Sequence, residues 1–195
     1  WRRQRANDHL LHFGGAFSFR TTPVNQKDYN KELSAAGVTS MFSEPLLAAG
    51  IGAPRKEFKG VLEALVTGPR YLLQGEYYLN RYCLSGDRNY QPHGGYAQAS
   101  YLLLGRGFSY DAASAVLGRP ASDRALELTA RFNYTNMNDT GAGILGGEEK
   151  DLSVGLNFYL NAYIGFKISG SYVWVGEHCN PAYRNNYFVD RKSVV

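Results

Sequence analysis

Apolar and polar residues alternate with a period of two along most of this chain, and a helical period is almost absent. Between Arg124 and Asn136, Leu126, Leu128, Ala130, Phe132 and Tyr134 share one face, while Glu127, Thr129, Arg131 and Asn133 take the other. From Lys150 to Leu160, Leu152, Val154, Leu156, Phe158 and Leu160 oppose Asp151, Ser153, Gly155, Asn157 and Tyr159. Ile164, Phe166, Ile168, Tyr172 and Trp174 then oppose Lys167, Ser169 and Ser171. Four earlier runs behave the same way, through Leu11–Phe19, Phe58–Val66, Tyr71–Leu79 and Ala97–Leu103. The pattern predicts seven strands and the beginning of an eighth near Tyr187.

The connections alternate in length. Gly68-Pro69 and Asn161-Ala162 read as tight turns, whereas Thr21 to Lys56, Cys83 to Pro92, Met137 to Glu149 and Gly176 to Asn186 are long. Short turns at one end and long loops at the other are the pattern of an up-and-down outer-membrane barrel. One long segment, 106–123, falls on the short-turn side and breaks the rule. The loop 21–56 carries an apolar patch, Met41-Phe42 and Leu46 to Ala49, which predicts a short helix. A long apolar loop needs a dry surface, and in an open channel that surface is the lumen wall or a partner subunit.

Alternation also suits a soluble sandwich. Strand length separates the two, because soluble strands average about 5–6 residues and these runs are about twice that. The polar face mixes Ser, Gly, Asn, Thr and both signs of charge, as the wall of a water-filled lumen would, and the apolar face ends in Tyr77, Phe158, Tyr172 and Trp174. Composition adds limits. No apolar run approaches the ~20 residues of a spanning helix. Fifteen Tyr and ten Phe argue against disorder. A net charge of +4 does not call for nucleic acid. The opening Trp1-Arg2-Arg3-Gln4-Arg5 and the alternation just begun at Lys192 to Val195 make the chain read as an internal piece of something longer.

Several segments are familiar in order. Leu11 to Arg20, Leu73-Gln74-Gly75-Glu76-Tyr77-Tyr78, Gly95 to Leu102, Leu117-Gly118-Arg119-Pro120, Ala125 to Tyr134 with Asn138-Asp139, Gly146-Gly147 and Gly155 to Asn161 resemble the phosphate-selective porins O and P. The resemblance implies an all-β fold. It would be an antiparallel meander forming the C-terminal half of a transmembrane barrel of about sixteen strands, with residues 1–195 as one partial domain lacking the closing strand. It further implies a homotrimer in the outer membrane of a Gram-negative bacterium, among lipid and lipopolysaccharide. Passive passage of small polar or anionic solutes, phosphate or polyphosphate, past inward-folded loops would be its function. The competing expectation is a non-transporting structural or adhesin barrel that acts through its long loops.

Candidate pore-lining residues are Arg20, Lys59, Glu63, Glu76, Glu127, Arg131, Asn157 and Lys167. Glu44, Lys56, Arg106 and Arg119 are candidates on the two constricting segments, with Glu44 and Lys56 expected near the solute path. Charges on the strands balance, and Glu127 is expected to pair with Arg131. No enzyme chemistry is expected: His9 and His12 stand three apart, on opposite faces of a strand, and no serine sits in a nucleophile turn. No cofactor or metal site is assigned. His178 with Cys179, and Asn138-Asp139-Thr140, read as loop residues. Cys83 and Cys179 lie on the same side, and a bridge between them is left open.

Overall fold

The computed structural model describes residues 2–5, 9–21, 31–35, 45–111, 113, 116–183 and 185–194. They form β1 (Arg2–Arg5), β2 (His9–Thr21), β3 (Lys31–Ala35), β4 (Leu47–Gly52), β5 (Lys56–Thr67), β6 (Tyr71–Cys83) and β7 (Asn89–Tyr90). There follow β8 (His93–Leu104), β9 (Phe108–Asp111), β10 (Val116–Pro120), β11 (Ala125–Asp139), β12 (Ile144–Tyr159), β13 (Gly165–Val175) and β14 (Tyr187–Val194). No helix occurs among the described residues.

The wall is one antiparallel sheet in the order β1-β2-β5-β6-β8-β11-β12-β13-β14, with β7 beside β6. It is not closed. Its seven complete long strands run from 11 to 16 residues. At about 3.3 Å per residue each can cross a bilayer at a tilt. The tight turns fold as the sequence requires. Gly68 N–H donates to the Tyr71 carbonyl at 2.9 Å, and the Asn161 side chain accepts the N–H groups of Tyr163 and Ile164 at 2.8 and 2.9 Å.

Two hairpins stand off this wall, β3–β4 and β9–β10. The first corrects the helix expected at Leu46 to Ala49. Leu47, Ala49 and Ile51 are buried while Ala48 and Gly50 are exposed, a period of two, and glycines at 50 and 52 disfavour a helix. Met41-Phe42 lie outside the described residues. The second hairpin lies within the long segment 106–123.

Both hairpins pack on the same face of the sheet, hereafter the inner face. The outer face leaves its large apolar side chains uncovered. Leu152, Leu156, Phe166 and Ile168, which a soluble protein would bury, are 40, 37, 46 and 49% exposed. Phe17, Leu62, Leu79 and Val154 are exposed on the same face. Such a continuous apolar surface matches a solvent of hydrocarbon. Near the long-loop end it carries Tyr77, Tyr172 and Trp174, the last two in edge contact with ring centroids 4.9 Å apart, as at a membrane interface.

Candidate functional site

The inner face is built by strand register. The β3–β4 hairpin lies against its long-loop end, where Leu46, Leu47, Ala49 and Ile51 join Tyr82, Tyr90, Met137, Val173 and Tyr183 in one buried cluster. Its seat is Gly146-Gly147. A Cβ on Gly146 would come within 2.8 Å of the Ala49 Cβ, and one on Gly147 within 2.8 Å of Leu47 Cδ2. Gly147 also has φ +94°, a backbone that only glycine adopts freely. Polar pins complete the docking. Lys31 Nζ donates to Glu57 Oε2 at 2.6 Å, with the two side chains only 14 and 3% exposed. Asn180 donates its N–H to the Leu46 carbonyl at 3.0 Å and its amide to that of Pro45 at 3.1 Å.

Around this seat the loop residues serve as scaffolding. Tyr90 donates to the Met137 carbonyl at 2.8 Å, and burial pushes its phenol up. Asp139 accepts the N–H groups of Gln91 and Ala142, and Asn138 that of Gly147. Cys83 and Cys179 are free thiols, so the bridge left open by the sequence does not form. Cys179 Sγ donates to the Glu148 carbonyl at 3.1 Å, and burial pushes this thiol up. His178 lies 4.0 Å from an exposed Glu177 carboxylate.

The β9–β10 hairpin occupies the short-turn end, with Phe108, Tyr110 and Leu117 on Leu10, Leu65 and Leu72. The Tyr110 hydroxyl lies 2.5 Å from His12 Nδ1, and His12 Nε2 lies 3.1 Å from Glu63 Oε1. His9 points the other way, towards Tyr71. Arg119 lies against the neighbouring turn. Its guanidinium donates to the Asn161 and Ala162 carbonyls of the neighbouring turn and lies over the Tyr159 ring, 5.1 Å from its centroid. Arg106 is exposed, and its backbone N–H donates to Ser122 Oγ.

Between the hairpins runs a polar belt. One register row reads Gly14, Glu63, Glu76, Tyr96, Asn133, Asp151 across six strands. The row beside it contains Gln74, Gln98, Arg131, Ser153 and Ser171. Tyr96 donates to Glu76 Oε1 at 2.6 Å, and Tyr78 donates to Oε2. Arg131 stacks on Tyr96, its Cζ 3.6 Å from the ring centroid, and donates from Nε to Asn133 Oδ1 at 2.8 Å. Asn133 passes the chain on to Asp151 at 2.9 Å.

Register therefore places Glu63, Glu76, Glu127, Arg131, Asn157, Lys59 and Lys167 on the inner face, with Arg20 at its long-loop edge across from Glu57. Lys56 opens β5 on the opposite, Phe58 face, because strand residues alternate; Lys31 is the lysine that the hairpin brings to the wall. Glu44 lies outside the described residues. The expected Glu127–Arg131 pair is replaced. Four residues along a strand span about 13 Å, too far for an ion pair, and Glu127 Oε2 accepts from Asn157 and Tyr159 instead, each at 3.1 Å. Tyr78, Tyr96 and Asp151 join the belt as well. Extending the alternation past Gln98 to Tyr96 and past Glu76 to Tyr78 would have found both tyrosines.

An open sheet with an apolar exterior, a polar belt within and two hairpins on the inner face is barrel-wall geometry. The profile of the phosphate-selective porin O and P family matches residues 9–190 of this chain. The chain belongs to that family. Comparison with curated proteins gives no match. The family of this porin is one of outer-membrane channels, not of enzymes.

Proposed function

We propose that this porin forms a passive, water-filled diffusion channel in the outer membrane of a Gram-negative bacterium. Small polar or anionic solutes cross, and the two inward hairpins set its width. The observation that carries this reading is the β3–β4 hairpin held on the lumen wall by a buried cluster and the Lys31–Glu57 pair. A surface loop that served adhesion would gain nothing from being pinned inside. Phosphate or polyphosphate is the solute that the family description suggests. A homotrimer is part of the proposal, supported by the Lys192–Asp190 ion pair, 3.5 Å long, on the outer face of β14. Charge facing hydrocarbon is costly, and a protein neighbour would cover it.

Single-channel recording of the barrel containing this chain, in a planar bilayer, tests the reading. Stable ion-conducting openings are expected, and deletion of Ser34 to Ala53 is expected to raise conductance and loosen ion preference. A barrel that inserts but never conducts would point to the structural or adhesin role. Unchanged conductance after the deletion would place the constriction elsewhere.

A further inference from the structure

A pocket of about 390 Å³ remains on the lumen side between β3 and the wall of β6, β8 and β11. That lies near the lower end of the ~300–1,000 Å³ typical of small-ligand sites. Its wall is uneven in chemistry. Tyr78, 42% exposed as a residue, contributes to the lining. The register sets Gly94, which has no side chain, between Tyr78 and Thr135, opening the floor. Asn80 and Thr135 line the same space, and neither side chain has a hydrogen-bond partner among the described residues. The lining holds one arginine, Arg131, whose guanidinium lies on the Tyr96 face and whose Nε donates to Asn133. The Tyr78 and Tyr96 hydroxyls both converge on the Glu76 carboxylate, and Asp151 closes the belt beyond Asn133.

We propose that this pocket is a subsite for a neutral, polyhydroxylated solute of sugar size. Tyr78 is its stacking platform, and Asn80 and Thr135 are its hydrogen-bonding groups. An aromatic face accepts the C–H side of a sugar ring, while an amide and a hydroxyl each both donate and accept, which matches hydroxyl groups. A phosphate would find a single arginine on the lining, held flat on Tyr96, and would meet the Glu76 carboxylate nearby, so like charges would face each other in a confined space. This deepens the porin reading and rests on it.

The test is block of ion current through the conducting barrel, with maltotriose and sodium phosphate as probes. Conductance is established first, so a barrel that does not conduct brings down the porin reading itself. In a conducting barrel, millimolar maltotriose is expected to reduce current and phosphate to leave it unblocked. Tyr78→Ala is expected to raise the half-blocking concentration about tenfold, and Thr135→Val about threefold. Tyr78→Phe keeps the ring and is expected to stay within threefold of the parent. Absence of maltotriose block in a conducting barrel would overturn the proposal. So would Tyr78→Phe losing as much as Tyr78→Ala, or phosphate blocking more tightly with that block lost in Arg131→Gln.

Discussion

At Gly147 a hydrogen in place of a side chain lets one segment lie on another. The residue combines a positive φ with contact to Leu47 and Cys179, so Gly147→Val meets both strain and a clash. Backbone strain of this kind costs on the order of 1–3 kcal/mol. The expected result is an undocked hairpin in a wall that still inserts, read as a rise in single-channel conductance. Cys179 reports the same event chemically. Its raised pKa leaves less thiolate at neutral pH than an ordinary cysteine has. Maleimide labelling is therefore expected to be slow at pH 7, to climb as pH rises through the ordinary thiol range and beyond, and to quicken at pH 7 in Gly147→Val. Equal labelling rates in parent and variant would show that the hairpin had not moved.

The hairpin is held at its other end by a buried charge pair, and this sets a prediction at the scale of the element. Lys31→Met strands the Glu57 carboxylate, an error of about 3–5 kcal/mol for a buried pair, larger than the docking of a short hairpin is expected to tolerate. The double variant Lys31→Met with Glu57→Gln is expected to recover much of the loss, since no charge is then left unpaired. Conductance of these two variants and of Glu57→Gln alone, compared as a double-mutant cycle, measures it. The long strands were legible in the sequence because inside and outside demand different residues at every second position, and Leu126 to Tyr134 shows this without ambiguity. The hairpins were harder. Leu47, Ala49 and Ile51 alternate over too few residues to outweigh the helical look of Leu46 to Ala49. The partners that fix them, Met137 and Val173 among them, lie far away in the chain. The belt was half legible. Alternation put Glu76 and Arg131 inside, but that Arg131 would stack on Tyr96 depends on which strands are neighbours and in what register.

Across the whole molecule the two faces of one strand obey different solvents, and adjacent residues can test it. Leu156 lies outside and Asn157 inside. Leu156→Arg puts a charge among lipid tails and is expected to destabilise the barrel by about 2–4 kcal/mol if it sits near the bilayer centre. Asn157→Arg faces water beside Glu127 and is expected to leave stability within about 1 kcal/mol of the parent, as a wet substitution away from the core does, while shifting ion selectivity. Denaturant unfolding in detergent, with reversal potentials for the second variant, separates the outcomes. Equal losses of stability would contradict the assignment of faces.

The docking of β3–β4 has a consequence for the order of assembly. Wall strands pair with chain neighbours, so the sheet can grow by successive short closures. The hairpin joins residues as distant as Pro45 and Asn180, 135 positions apart. Its seat is complete only when β11 to β13 are in place, and closing so long a loop is the slower step. A newly assembled barrel would therefore pass through a stage that is already watertight to lipid but still wide within. On the proposed reading, the last act of folding is then the one that narrows it.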